Sequence, residues 1–154
     1  MEKLIQEHGA RLYALCLKLE KNTWEAQELY QETWLKAMRG IQRYDNNRPF
    51  TPWIARICVN CYRDTLRKRK LSALLGFEDA RDAPSYQPSF PAEQAHVRQA
   101  VDALPQAYKL VTLLYYFNEQ SIAQTAAALN IPQGSVKSRL SKARTLLKEA
   151  LKDE

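Results

Sequence analysis

The sequence predicts an all-α protein built from two small helical domains joined by a flexible linker, with a helix-turn-helix in the second domain. Apolar residues recur at steps of three and four along most of the chain, which is the period of a helix. No stretch alternates apolar and polar residues as a half-buried strand does. Residues 71–91 contain three prolines and several small polar residues and keep no sustained period. We therefore place the domains at residues 1–70 and 92–154, with the linker at 71–91.

The first domain is predicted to contain three helices. The first covers residues 2–20, and the second starts after Asn22 or Thr23, because either side chain can accept a hydrogen bond from a first-turn N–H. The third runs from about Thr51 to Leu71 and ends in the basic run RDTLRKRK. Between the second and third helices, the polar segment RYDNNRP has the asparagines of a turn.

The second domain is predicted to begin with a helix over residues 92–104 and a very apolar one from Gln106 to Phe117. The next helix opens at Ser121, where S-I-A-Q matches a capping box. In that motif the Ser121 hydroxyl accepts from the N–H three residues on, while the Gln124 side chain reaches back to the Ser121 N–H.

The stretch LNIPQGSVKSRL predicts a sharp turn before the last helix. Asn130 readily adopts the left-handed conformation that ends a helix, and Ile131 can fold back onto the helix just ended. Pro132 forbids continuation and presets the next start. Because so short a connection makes the two helices cross steeply, the pair is predicted to be a helix-turn-helix.

The last helix combines an apolar face with a basic one. Its apolar positions follow steps of four and three, at Val136, Leu140, Ala143, Leu147 and Ala150. The other faces carry Lys137, Ser138, Ser141, Lys142, Arg144 and Lys148. Such side chains can donate to base edges in the major groove, which is the chemistry of a recognition helix. The plainer alternative is a solvated face, although such faces usually mix charges and this one has no acid before Glu149.

The formal net charge of +6 is unevenly distributed. Residues 1–70 carry 14 basic and 8 acidic side chains, residues 71–91 carry 1 and 3, and residues 92–154 carry 8 and 6, so the segments have charges of +6, −2 and +2. Two basic ends around an acidic middle suit a polyanion bound by two separate modules.

Three cysteines, Cys16, Cys58 and Cys61, raise the question of zinc or redox chemistry, since the last two form a CVNC spacing. A structural zinc site needs four ligands, and only Cys16, His8 and His96 remain to complete one. Both CVNC residues also lie in a predicted helix, where free Cys packs as a small hydrophobe. We expect neither a metal site nor a cofactor.

Other classes of protein are disfavoured. No pattern resembles a catalytic triad, a phosphate-binding loop or a paired acid site, so no enzyme is predicted. No apolar run approaches the roughly 18 residues of a membrane span. The segment MEKLIQEHGARLY lacks the apolar core and cleavage site of a signal peptide. We expect a cytoplasmic protein with no membrane insertion of its own.

Two motifs resemble the extracytoplasmic-function (ECF) group of bacterial RNA polymerase sigma factors, within the sigma-70 family. The segment IPQGSVKSRLSKAR is similar to the family's I-P-x-G-T-V-K-S-R-L-x-R-A-R in its promoter-reading helix-turn-helix. Upstream, QETW, RPF, WIARIC and NCYRD resemble the family's first-domain pattern in order. In the second domain, Thr125 and Lys142 depart from the family's helix-turn-helix pattern, in which Ile and Arg are usual at these positions.

The resemblance implies a factor that brings core RNA polymerase to specific promoters and nucleates DNA melting. The polymerase would be bound by Glu28, Leu29, Gln31, Glu32, Thr33 and Lys36. A base flipped from the non-template strand of the minus-ten element would be held by Tyr44, Asp45, Asn46, Asn47, Arg48, Phe50, Asn60, Arg63 and Arg67. The minus-thirty-five element would meet Lys137, Ser138, Arg139, Ser141, Lys142 and Arg144. An anti-sigma factor is the further partner that the resemblance implies.

Two rival functions stay open from the sequence. The first is a stand-alone helix-turn-helix repressor or activator, which would bind duplex DNA without polymerase, usually as a dimer. The second is a thiol or metal sensor acting through the three cysteines.

Some residues of the first domain also have a purely structural interpretation. Trp34 and Trp53 are expected to pack in the core rather than to take part in DNA melting. The basic run from Arg67 to Lys70 could equally be a solvated helix end.

Overall fold

The computed structural model describes residues 1–76 and 92–152. Every regular element in these two ranges is helical, which confirms the all-α prediction. The chain divides into two compact units, Met1–Gln87 and Pro88–Glu154. Most of the predicted linker, residues 77–91, lies outside the described residues. Among the helices that are described, none is long and apolar enough to span a bilayer.

In the first unit, residues 1–76 form three long helices and one short 3-10 turn. Helix α1 covers Glu2–Leu19, α2 covers Thr23–Gly40 and α3 covers Phe50–Leu74, and the 3-10 turn Ile41–Arg43 follows α2. The Asn22 Oδ1 atom accepts a hydrogen bond from the Glu25 N–H at 2.8 Å, so the predicted capping at this end of α2 is confirmed.

Helix α3 extends further than the sequence predicts, since it continues to Leu74 where we placed the linker from Leu71. Leu and Ala are good helix formers, and no breaker occurs before Gly76. Gly76 adopts a left-handed φ of +78°, which suits a residue without a Cβ and ends the helix. The helix therefore carries its basic run one turn before its own end.

The three thiols lie in the core of the first unit, and each cysteine is 0% exposed. The Sγ atoms of Cys16 and Cys58 are 3.8 Å apart, which joins α1 to α3. The hydrogen bond with Cys58 and burial both raise the pKa of Cys16 above its ordinary value, and burial raises that of Cys61. Protonated, enclosed thiols act as packing groups.

The second unit contains α4 (Ala92–Asp102), α5 (Gln106–Thr112), α6 (Ile122–Leu129) and α7 (Gln133–Lys152). The sequence predicts one α-helix from Gln106 to Phe117, but the backbone changes to a π-helix over Leu113–Phe117. At its end the Asn118 N–H bonds the Leu113 carbonyl at 2.9 Å, five residues back. The wider turn leaves Tyr116 and Phe117 about half exposed at the end of an otherwise buried segment.

The connection between α6 and α7 follows the sequence-based prediction closely. Both hydrogen bonds of the capping box are present, from the Gln124 N–H to Ser121 Oγ at 3.0 Å and from the Ser121 N–H to Gln124 Oε1 at 2.9 Å. Asn130 has φ 56° and ψ 48°, and the Ile131 N–H bonds the Ala126 carbonyl at 3.1 Å. These bonds form the helix terminator that permits a sharp turn.

Helix α7 rests on the rest of its unit through an apolar seam. Val136, Leu140 and Ala143 are at most 1% exposed. Leu147 is partly buried, but Ala150 is exposed, so the predicted stripe is one residue too long. The seam fixes which side of α7 faces solvent.

Candidate nucleic-acid interface

The solvent-facing side of α7 carries most of the residues predicted to read DNA. Lys137, Ser138, Ser141 and Lys142 are exposed, whereas Arg139 is half-buried at the edge of the face. Glu149 is the single acid in α7, against six basic residues. A face of this shape and charge can enter a groove of duplex DNA.

Arg144 differs from its neighbours on α7 because it has a partner on another element. Its Nε–H donates to the Tyr116 hydroxyl at 2.5 Å, and its guanidinium carbon lies 5.6 Å from the centre of the Tyr116 ring. Tyr116 was not predicted as a site residue, because no local pattern shows that it contacts α7. It lies within the π-helix Leu113–Phe117.

The loop predicted to hold a flipped base is folded on itself through Asp45. Asp45 Oδ1 accepts from the Asn47 N–H at 3.0 Å, and the Asp45 carbonyl accepts from the Arg48 N–H at 2.9 Å. The Tyr44 hydroxyl donates to the Arg48 carbonyl. Tyr44 and Asp45 thus shape the turn, and the side chains of Asn46, Asn47 and Arg48 stand in solvent.

Phe50, which the resemblance places in the loop around a flipped base, lies in the core of the first unit and not on the surface of the loop. It is 6% exposed, and its ring stacks on Trp34 at 6.1 Å between centroids. Tyr44 and Trp53 pack against it at 5.5 Å each. Trp34 is buried, as expected, while Trp53 is only half-buried beside Tyr44. Phe50 therefore packs the end of the loop against the core of the first unit.

One face of α3 continues from the loop with polar and basic residues. Asn60 and Arg67 are exposed and Arg63 is half-buried, at a spacing of three and four. Arg56 lies one turn before Asn60 on the same face and is exposed as well. Arg56 is not among the residues predicted from the sequence, although the same spacing of three and four could have found it.

The residues predicted to bind polymerase divide into exposed and buried ones. Glu28 and Gln31 are exposed, and Glu32 and Lys36 are half-buried, all on α2. Leu29 and Thr33 are 4% and 0% exposed, so they pack inside the unit and cannot meet a partner directly. This corrects the predicted set, in which these two residues were placed on the surface.

The same stretch of α2 exposes two apolar side chains that the sequence analysis missed. Leu35 is 53% exposed and Met38 is 51% exposed. They follow Gln31 by four and seven residues and so share its face of the helix. Exposed large apolar residues beside polar ones are typical of a protein-binding surface.

Ion pairs connect the α2 surface to the basic face of α3. Lys36 Nζ lies 3.6 Å from Glu32 Oε1 and 3.7 Å from Asp64 Oδ2. Asp64 Oδ1 in turn lies 3.3 Å from Arg67 Nη2. The two candidate surfaces of the first unit are therefore continuous.

Arg69 has a different role from the rest of its basic run. Its Nη2 atom lies 3.3 Å from Glu20 Oε2 and 3.4 Å from Glu25 Oε1. Glu20 is 3% exposed, and burial raises its pKa above the ordinary value despite the opposing effect of Arg69. Arg67, Lys68 and Lys70 are exposed. The run thus contains one guanidinium that fixes the end of α3 and three cations that face solvent.

Both helical units carry an exposed basic face, and the second also contains a helix-turn-helix. This combination is typical of the class of proteins that bind nucleic acid. Family models agree with this class. The model of sigma-70 region 2 matches residues 4–71, and that of sigma-70 region 4 matches residues 95–147.

Full-length relatives narrow the class to one family. The chain is 31% identical over 164 residues to the ECF RNA polymerase sigma factor SigW of Bacillus subtilis, covering 97% of this chain and 88% of that one. It is 29% identical over 160 residues to the ECF sigma factor SigE of Mycolicibacterium smegmatis, covering 97% and 61%. The chain belongs to the ECF family of RNA polymerase sigma factors, which direct RNA polymerase to promoters.

A solved structure shares the fold. The sigma factor RpoE from Bartonella quintana, determined in complex with the anti-sigma factor NepR, superposes with a TM-score of 0.78 at 24% identity, covering 100% of this chain and 99% of that one.

Proposed function

We propose that the first unit binds core RNA polymerase and opens the minus-ten element, while the second unit binds the minus-thirty-five element. The chain itself performs no catalysis in this proposal and acts in the cytoplasm, where polymerase and DNA are found. The observation that supports it most is that one ECF chain carries an exposed basic face in each of its two units.

The polymerase-binding surface is proposed on α2. The polar contacts would come from four side chains, Glu28, Gln31, Glu32 and Lys36. Leu35 and Met38 add apolar surface that is removed from water on docking. Leu29 and Thr33 lie on the buried side of α2 and pack the helix against the rest of the unit, which fixes the orientation of the exposed face.

The minus-ten surface is proposed on the loop after α2 and the face of α3. Extruding a base costs a few kcal/mol, which stacking, hydrogen bonds and positive charge must offset. The exposed side chains of Asn46, Asn47 and Arg48 offer hydrogen bonds to a base edge. Tyr44, which is half-buried, offers a ring edge, and Arg56, Arg63 and Arg67 offer charge for the backbone phosphates.

The minus-thirty-five surface is proposed on α7. Ser138 and Lys142 are placed nearest the base edges, and Lys137, Arg139 and Arg144 nearest the phosphates. Because its apolar seam is buried, α7 presents these side chains on a fixed support.

An anti-sigma factor is proposed as a regulatory partner. A protein of the same fold has been determined in complex with one. The exposed Leu35 and Met38 give such a partner an apolar surface that polymerase would also need, so the two would compete for it.

Transcription in vitro tests the proposed function. Core RNA polymerase is given genomic DNA from the source organism, with and without the chain, and transcript starts are mapped. We expect new discrete starts only with the chain, and fewer of them after Leu35→Glu, which places a charge in the proposed apolar contact. Gln6→Glu on α1, also exposed, adds a charge outside all of the proposed surfaces and serves as the control. Identical starts in both reactions would contradict the proposal.

A further inference from the structure

Among the described residues, Tyr116 is the one tyrosine of the second unit whose hydroxyl forms a hydrogen bond with a cationic side chain of α7. The hydroxyl accepts from Arg144 Nε at 2.5 Å, and the guanidinium lies 5.6 Å from the ring centre. Both side chains are exposed, and no ion pair joins Arg144 to an acid among the described side chains of residues 94–152. The cation is therefore held in position but not neutralised.

A guanidinium bonded through Nε retains the donors on its two Nη atoms. The group is planar, so fixing Nε and resting the plane near an aromatic ring restricts the whole fork. Arg144 follows Leu140 of the buried seam by one turn and lies where the seam meets the solvent-facing side of α7. A long side chain at such an edge loses less conformational entropy on binding when a neighbour already orients it.

We infer that Tyr116 is a positioning residue for Arg144, whose Nη donors bind a backbone phosphate of the DNA that α7 contacts. This inference rests on the proposed DNA-binding role of α7. Tyr116 lies in the π-helix Leu113–Phe117, a distortion that is frequent at functional sites.

A double-mutant cycle on the full chain tests the inference. Binding to a short duplex of mixed sequence is measured by fluorescence anisotropy at several salt concentrations, since phosphate contacts do not depend on sequence. Tyr116→Phe removes the hydroxyl and keeps the ring. We expect it to weaken binding about three- to tenfold, because a long side chain that is no longer oriented in the free chain must be ordered on binding. In an Arg144→Ala background we expect it to change nothing further.

Two controls separate positioning from a general structural role. Tyr115→Phe removes the hydroxyl of the neighbouring tyrosine, and we expect it to leave binding unchanged. The ring centres of Tyr115 and Tyr116 are 5.0 Å apart. Arg144→Ala alone should make the plot of log affinity against log salt concentration less steep, by about 1 in its slope. An equal loss from Tyr116→Phe in both backgrounds, or no loss in either, would overturn the inference.

The cycle also distinguishes this inference from the proposed function. If Lys137→Ala and Lys142→Ala weaken binding while the Tyr116 and Arg144 variants do not, only the inference fails. If none of these variants weakens binding, the proposed role of α7 fails with it.

Discussion

At the scale of single residues, two polar side chains are almost fully enclosed. Gln120 of the second unit is 2% exposed, and Glu20 of the first unit is 3% exposed. Burying a polar group costs free energy unless it is hydrogen-bonded, and burying a charge costs more unless it is paired. Each of these two residues therefore predicts a measurable effect on stability.

Gln120 provides the first prediction at this scale. It is 2% exposed, and neither amide atom has a hydrogen-bond partner among the described residues. An unsatisfied buried polar group costs about 1–3 kcal/mol. Gln120→Met, of similar shape, should therefore raise the free energy of unfolding by about that amount, measured by denaturant unfolding of the full chain.

The exposed Gln94 gives a matched control for that substitution. Gln94→Met should change stability by no more than about 0.5 kcal/mol, as surface substitutions usually do. A Gln120→Met variant less stable than the original chain would show that the buried amide does have a partner, such as a bound water.

Glu20 predicts a pH dependence. Burial raises its folded-state pKa above the ordinary 4.5, so between pH 4.5 and the raised value the folded chain holds more protons than the unfolded one. Stability contributed by this group is therefore present at low pH and is lost as pH rises through that window.

The comparison with Glu20→Gln isolates this contribution, because glutamine resembles the protonated acid and does not titrate. The two proteins should have similar free energies of unfolding near pH 4.5, and the original chain should lose stability relative to the variant as pH rises. Denaturant unfolding at a series of pH values measures the difference. A difference that stays constant, or that changes in the opposite direction, would contradict this account.

At the scale of elements, the helix-turn-helix was predictable and the π-helix was not. The turn between α6 and α7 is specified by consecutive residues of known preference, Asn130 and Pro132. The π-helix depends on how α5 packs, and LVTLLYYF shows no local sign of it. Tyr116, which lies in the π-helix, was not predicted as a site residue, because its contact with Arg144 joins positions 28 residues apart.

Lys142 and Lys137 should differ when α7 binds DNA. Lys142→Ala should cost about 1–3 kcal/mol and relax preference at one base position. Lys137→Ala should weaken all sequences alike and lower the salt slope by about 1. Binding of the polymerase assembly to promoter variants, each changed at one base pair, measures both effects. Equal losses on every variant for both substitutions would show that base and phosphate contacts are assigned wrongly.

At the basic end of α3, substitutions should have two kinds of effect: Arg69 should matter for stability, whereas Arg67 should matter for DNA opening. Arg69→Ala leaves the buried Glu20 without its ion pair, so it should lower stability by about 1–3 kcal/mol. Arg67→Ala breaks a surface pair with Asp64, which is worth about 0–1 kcal/mol, and should act on DNA opening instead. Thermal unfolding compares the two, and equal destabilisation would contradict the distinction.

At the scale of the molecule, the sequence was sufficient for the fold class and the family. Helical periodicity over long segments predicts helices well, and two motifs in the right order are specific. The candidate surfaces were predictable as segments but not residue by residue. Leu29 and Thr33 share their stretch of α2 with exposed Gln31, and packing alone decides which of them faces solvent.

Association with core RNA polymerase tests the central claim most directly. The purified full chain is mixed with core enzyme that lacks a sigma factor, and the complex is measured by size-exclusion chromatography and its dissociation constant by titration. We predict a stable one-to-one complex that Leu35→Glu weakens at least about tenfold, a loss of about 1.4 kcal/mol. A chain that binds duplex DNA but forms no complex with core polymerase would contradict the account.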